Sequence, residues 1–355
     1  MREARALVES AGYSVVGEVW YRRVSGSRLL SRAKLEEVAE KAEPLRGDEN
    51  ARIIVYDELR PREYFRIVKR AGVDAIDRTL LILEIFALHA GSREAQYQIE
   101  LARLRHQLPL VREAIRLAKM GELPGFLGPG GYAVDKYYRY MVSRMARIRR
   151  ELQRLAERRA RERSKRRSAG LPHVAIVGYA SAGKTSIFNR LTGLSKPIGP
   201  EYFTTVSPKV RAASLGGVKA ALVDTVGFIA RVPPEIIEAF HATLEEVAQA
   251  DVVLHVVDLS EPDHVIAEKL EEGLATLRRI GVVDKPMVIA ANKIDLVAAD
   301  ERDRLLGLLG AMASASYPAL AAVVPVSAAT GEGLGELACR LAILLRGTAG
   351  STCYA

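Results

Sequence analysis

The spacing of apolar positions changes along this chain, and each change predicts a different architecture. Over residues 1–90, apolar stretches at 13–21 and 52–56 have strand character, whereas 31–42 and 62–71 repeat at helical spacing. They predict a small α/β unit with no visible active site. From Ser92, a residue suited to cap a helix, apolar or aromatic side chains fall at Tyr97, Leu101, Leu104, Leu108, Val111 and Ile115. A second run places Val134, Tyr138, Met141, Met145, Ile148, Leu152 and Leu155 at the same steps of three and four, the spacing of a coiled-coil seam. Between them, 121–131 is rich in glycine and proline and cannot continue a helix. Matched seams around a short tip predict a long antiparallel helical hairpin over 91–167, with Pro109 kinking its first helix.

Beyond Leu155 the seam stops while basic residues continue through Arg158, Arg159, Arg161, Arg163, Lys165, Arg166 and Arg167. A charge run is ordinarily a solvated helix face; one so unbalanced also suits a salt-dependent contact with a phosphate backbone. Residues 168–172 read as a linker. A third pattern then begins: short continuous apolar runs at 173–177, 220–223, 286–291 and 323–326, the mark of buried parallel strands in a doubly wound α/β domain over 173–348. Residues 349–355 form a tail.

The ends of these runs carry the chemistry. Gly178-Tyr-Ala-Ser181-Ala182-Gly183-Lys184-Thr185 follows the first run and opens a helix-spaced segment at Ser186. A chance match is the alternative, but this is the strand, loop and helix context of a phosphate loop. Its glycines let backbone N–H groups turn toward phosphates, Lys184 reaches the β- and γ-phosphates, and the Thr185 hydroxyl meets Mg2+. Asp224 ends the second run, at the sheet edge where such folds bind ligands, and is placed to hold Mg2+ through water. Gly227 allows a backbone N–H to approach the γ-phosphate. Alone, Asp224-Thr-Val-Gly227 would be an ordinary turn; its weight comes from following the phosphate loop. Asn292-Lys293-Ile-Asp295 follows the third run, and an ionised Asp295 accepts from the ring N–H and exocyclic amine of guanine, with Asn292 and Lys293 supporting and covering the base. The last run ends at Ser327 and Ala328, whose backbone meets the guanine carbonyl. The ordered set predicts a site for GTP or GDP with Mg2+.

Composition narrows the setting. With 355 residues and 49% hydrophobic content the chain can build two cores, and a net charge of +9 points to an anionic partner. Two cysteines, Cys339 and Cys353, and six scattered histidines show no metal-binding spacing. They predict a reducing compartment without disulfides, and His255, inside an apolar run, reads as a satisfied core residue. The first ten residues mix acid and base, and the apolar stretch 79–90 is short and contains Glu84. Neither a secretory leader nor a membrane span is expected, so the reading is cytoplasmic.

Residues 224–229 (Asp-Thr-Val-Gly-Phe-Ile), the helix expected over 233–250, and the segments 75–86 and 98–106 resemble the HflX branch of the Obg/HflX translational GTPases over nearly the whole chain. The resemblance implies a Ras-like P-loop domain behind an HflX-type amino-terminal domain, binding to the large ribosomal subunit and its RNA, and a monomer when free. It places the first switch at 203–208, with Thr205 as magnesium ligand and γ-phosphate sensor and Thr204 as the rival. It puts Phe228 where many GTPases carry the glutamine that orients the attacking water, which implies slow intrinsic hydrolysis completed by a partner. Three departures stand out. Ser181 replaces the asparagine of potassium-activated relatives, the tip reads Gly128-Pro-Gly-Gly131-Tyr-Ala-Val-Asp135, and, with the sequence ending soon after Leu345, the extra carboxyl-terminal domain of many bacterial members is not expected.

The sequence therefore predicts a cytoplasmic GTPase whose nucleotide state controls docking on the large ribosomal subunit, in recycling, rescue or assembly. A nucleotide-gated binding module on another RNA or protein, with incidental turnover, is the alternative. An ATP-driven activity in the first domain finds no second phosphate loop.

Overall fold

The computed structural model describes residues 2–21, 29–122, 131–168, 170–194, 209–228, 236 and 241–347. They fall into two compact units, the first built chiefly from Met1–Leu88 and Gln96–Arg154, the second chiefly from Leu155–Val232 and Phe240–Ala355 with His89–Ala95.

In the first unit, helices α1 (Arg2–Ser10) and α2 (Arg32–Ala42) precede a βαβ element: β1 (Ile53–Val55), α3 (Pro61–Ala71) and β2 (Ala75–Asp77). The two strands pair in parallel, Ile53 opposite Ala75 and Val55 opposite Asp77. Ser31 caps α2 by accepting from the Lys34 N–H at 3.2 Å, and Gly72 ends α3 in the left-handed region. Residues 13–21, expected as a strand, join neither strand. Their apolar character is spent partly on solvent, since Val16 and Trp20 are exposed. Helix α4 (Arg78–His89), buried along most of its length, leads to α5 (Arg93–Lys119) and α6 (Gly131–Ser168). Ser92 Oγ accepts from the Ala95 N–H at 3.1 Å, and Pro109 lies within α5. One hydrophobic cluster joins Leu104, with Tyr97, Leu101, Leu108 and Val111 packed on it, to Met141, Met145, Ile148 and Leu152. Glu100 pairs with Arg144 at 2.7 Å, while Arg112 donates to Tyr138 at 3.2 Å, so contacts descend α6 as they ascend α5. The tip, 123–130, lies outside the described residues.

The second unit is a six-stranded sheet. Its strands are β3 (His173–Gly178), β4 (Lys209–Leu215), β5 (Val218–Asp224), β6 (Val252–Asp258), β7 (Met287–Asn292) and β8 (Leu320–Pro325), in spatial order β4-β5-β3-β6-β7-β8. All neighbours are parallel except β4 with β5. Alternating residues serve two cores, as a sheet covered on both faces requires. Ala175, Val177, Val253, Val257, Ile289 and Ala291 face α8 (His241–Ala248), α9 (Asp263–Arg279) and α10 (Ala299–Ser316). Val174, Ile176, Leu222, Leu254, Val256 and Val288 face α7 (Lys184–Thr192) and α11 (Leu334–Arg346). Of the helix expected over 233–250, α8 and Ile236 are described. Cys339 in α11 is disulfide-bonded, contrary to the expectation of a chain without disulfides; two cysteines with no framework spacing give no sequence signal of pairing.

Candidate functional site

The carboxyl ends of β3, β5, β6 and β7 gather the predicted residues at one edge of the sheet. Gly178 and Val256 are register partners, as are Asp258 and Asn292. The loop from Gly178 to Lys184 is shaped by what its backbone must avoid. Gly178 has φ 142°, and a Cβ there would overlap the Val256 carbonyl; Gly183 has φ 97°, and a Cβ there would overlap the Asn292 amide. Ser181 takes the left-handed conformation at φ 63°, uncommon for a residue with a side chain. α7 begins at Lys184, so its N-terminal N–H groups open toward this loop.

Lys184 is buried, and its Nζ donates to the Tyr179 carbonyl at 2.7 Å. Desolvation pulls its pKa down to about 8, partly opposed by Asp224. The Thr185 hydroxyl donates to Asp224 Oδ2 at 3.0 Å, and Asp224 is fully buried at the end of β5. A hydroxyl and a carboxylate at the mouth of a phosphate loop are hard oxygen donors, and this pair suits Mg2+. Among the described residues no group of three or more His, Cys, Asp or Glu could hold another metal.

The segment after Asp224 is tied to the loop by its backbone. Thr225 donates its hydroxyl to Ile176 O at 2.7 Å, the Phe228 N–H donates to Gly178 O at 2.9 Å, and the Ala180 N–H donates to Phe228 O at 2.7 Å. A Cβ on Gly227 would sit 2.8 Å from both Ala180 Cα and Lys184 Nζ, so glycine is needed for the approach. Phe228 is buried in the core cluster that includes Tyr179, Val247 and Leu274.

At the other end, Asn292 is a brace. Its side-chain amide donates to Ala182 O at 2.8 Å and its Oδ1 accepts from the Ala328 N–H at 3.0 Å, joining the phosphate loop to the last predicted loop. Lys293 turns through φ 67° and pairs with Asp258 at 2.5 Å, while Asp295 is exposed. Ser327 is buried, and its Oγ accepts from the Thr330 N–H at 3.1 Å. Arg190, on α7, donates to Ala328 O at 3.0 Å and also to Ala329 O. The site thus brings together Gly178, Ser181, Ala182, Gly183, Lys184, Thr185, Ser186, Asp224 and Gly227, with Asn292, Lys293, Asp295, Ser327 and Ala328 along the same edge. Thr205 and Thr204 lie outside the described residues.

Relatives with known names share this arrangement of sequence. Residues 173–293 match a family described as "50S ribosome-binding GTPase", 89–166 one described as "GTP-binding GTPase Middle Region" and 1–87 one described as "GTP-binding GTPase N-terminal". The protein named GTPase HflX in Hyperthermus butylicus is 71% identical over 353 residues, covering 99% of this chain and 94% of that one. This chain belongs to the HflX family. GTPase HflX of Saccharolobus solfataricus is 37% identical over 92% of this chain and 90% of its own. A crystal structure of a GTP-binding protein from Sulfolobus solfataricus in complex with GDP matches with TM-score 0.55 and 31% identity, covering 98% of this chain and 96% of that one. The family resemblance drawn from 75–86, 98–106 and 224–229 is borne out, as are the α/β class with its P-loop GTPase domain and the activity of a GTP hydrolase.

Sequence reasoning missed Arg190, Asp258 and the bracing role of Asn292. Arg190 and Asp258 belong to no motif, and only their neighbours in space reveal them. His255 is buried as expected, yet its Nδ1 meets no hydrogen-bond partner among the described residues, so it is not the satisfied core histidine that was expected. Arg159, expected to join a phosphate-binding run, pairs with Glu94 at 3.1 Å and Glu245 at 3.2 Å; two carboxylates within reach hold its guanidinium within the fold. Arg158, Arg161 and Lys165 are exposed. No helix of the described residues is long and apolar enough to cross a membrane.

Proposed function

We propose that this HflX GTPase binds the large ribosomal subunit under control of its nucleotide. The observation that carries the nucleotide half is the Asn292 brace, which holds the phosphate loop and the Ala328 loop in one frame, with the Thr185–Asp224 oxygen pair beside Lys184. In this reading Lys184 and the loop N–H groups, including those of Ser181, Ala182 and Ser186, stabilise charge on the phosphates. Thr185 and Asp224, with Thr205, would hold Mg2+, and Asp295 would read guanine. Magnesium bound there would supply charge neutralisation to the phosphates. Phe228 cannot polarise water, so intrinsic hydrolysis is slow and the bound particle supplies the missing alignment.

The ribosomal half rests on the description of the family matched by residues 173–293, on the +9 charge, and on the exposed Arg158, Arg161 and Lys165. We assign 1–90 and the 91–167 hairpin to particle binding and 173–348 to the nucleotide. The test is GTP turnover with and without purified large subunits, beside co-sedimentation with a non-hydrolysable GTP analogue and with GDP. Strong stimulation and analogue-selective binding are expected. Failure of both would move the partner to another RNA or protein. Neutralising Arg158, Arg161 and Lys165 should lower the slope of log affinity against log salt by about 2.

A further inference from the structure

A histidine in the middle of β6 stands where the pattern calls for an apolar residue. Val253, His255 and Val257 share the face that packs on α9, among Leu270, Leu274 and Leu277. Burial holds the imidazole uncharged, pushing its pKa down to about 4, with Lys184 adding to the effect. An aliphatic residue would fill this space without desolvating a polar ring.

What the ring touches gives it a use. It meets the Phe228 ring edge to face, centroids 6.3 Å apart and planes at 88°. Across from it, Gly273 lies inside α9, where glycine is unfavourable. A Cβ on Gly273 would lie 3.0 Å from His255 Cε1, 3.1 Å from Nε2 and 3.5 Å from Phe228 Cδ2, so the missing side chain is the room the two rings occupy. With Nδ1 meeting no hydrogen-bond partner among the described residues, packing against Phe228 and Gly273 sets the ring's orientation. Phe228 is in turn pinned by its backbone to Gly178 and Ala180, and Gly227 immediately precedes it.

We propose that His255 is a positioning residue for the discrimination of GTP from GDP: its ring seats Phe228, and through Phe228 it fixes the Gly227 N–H where the γ-phosphate binds. The inference rests on the assignment of Gly227 to the γ-phosphate. Its signature is selective, because GDP has no group for that N–H to meet. A residue that merely held the core together would weaken both nucleotides alike.

The test measures affinities of the full chain, with Mg2+, for a non-hydrolysable GTP analogue and for GDP. His255→Leu keeps the core filled and removes the ring. It is expected to lower the analogue-to-GDP affinity ratio about fivefold, the scale of one aromatic pair, with GDP affinity within about twofold. Gly273→Ala crowds the rings instead and should lower the same ratio. GDP affinity also reports that each variant is folded. An unchanged ratio in both variants, or equal losses for the two nucleotides, overturns the proposal. Gly227→Ala separates the two layers. If it leaves the ratio intact, the γ-phosphate assignment fails and the His255 inference with it. If it collapses the ratio while His255→Leu and Gly273→Ala do not, only the inference on His255 fails.

Discussion

At the phosphate end of the site, glycines leave no room for side chains; at the base end, side chains hold the backbone of neighbouring loops. Gly178, Gly183 and Gly227 each bring backbone so close to a neighbour that a Cβ would collide. Asn292 and Arg190 instead hydrogen-bond the backbone of Ala182, Ala328 and Ala329, and Lys293 pairs with Asp258, while Asp295 is exposed. In the proposed reading the phosphate end would get its selectivity from shape, which fails as a whole when one position is filled. The base end would get it from donors and acceptors, which can be removed singly.

Filling the phosphate end should have the largest effect. Gly183→Ala strains a left-handed residue and drives a methyl into the Asn292 amide; the expected loss of GDP affinity is more than about 100-fold by equilibrium titration. Asn292→Ala joins the two ends of the comparison, because it deletes both bonds of the brace. About 3 kcal/mol of GDP binding should be lost, with both the Ala182 carbonyl and the Ala328 N–H left without their partner. Asp295→Asn tests the base end alone. Guanosine nucleotides should weaken by about 2 kcal/mol and xanthosine nucleotides gain, while thermal stability of this exposed site moves by less than about 0.5 kcal/mol. Equal losses for both bases would mean that Asp295 does not read the ring.

The smallest effect comes from beneath the phosphate end. His255 titrates at about 4 in the fold and near 6.5 when free, so the unfolded chain takes up its proton first as pH falls. Its contribution to stability is complete above pH 6.5 and is lost as pH drops toward 4. Denaturant titrations should show a loss of about 1 kcal/mol between pH 6 and pH 5, and His255→Leu should flatten that part of the profile.

The same contrast explains what could be read in the chain. The phosphate end was legible because its stereochemistry admits few residues: Gly178, Gly183 and Lys184 occur at fixed spacing, and Asp224 closes an apolar run. The seam of α5 and α6 was legible because apolar steps of three and four have one simple use. The bracing of the base end was not, since Asn292 reaches Ala182, 110 positions earlier in the chain, and Arg190 reaches Ala328 across 138. The direction of the Phe228 ring was also hidden, because a motif fixes the position of a residue and not the core it enters. Residues 13–21 misled for a related reason: strand propensity reports a fit to a half-buried surface, and among the described residues this stretch pairs with neither β1 nor β2 and leaves Val16 and Trp20 exposed. Arg159 looked like its neighbours in composition, and only Glu94 and Glu245 distinguish it.

Arg190 gives α7 a second hold on the site. The helix opens at Lys184 on the phosphate loop, and six residues later its arginine grips the carbonyls of Ala328 and Ala329. In the proposed reading a nucleotide would meet two recognition elements mounted on one helix, with the entropy of aligning them already spent during folding. Guanosine and inorganic pyrophosphate, offered separately, would each forgo the other's contacts and lose translational freedom twice. The joined molecule should bind far more tightly than the product of the fragments' affinities suggests, and Arg190→Ala should erode that advantage before it harms either fragment.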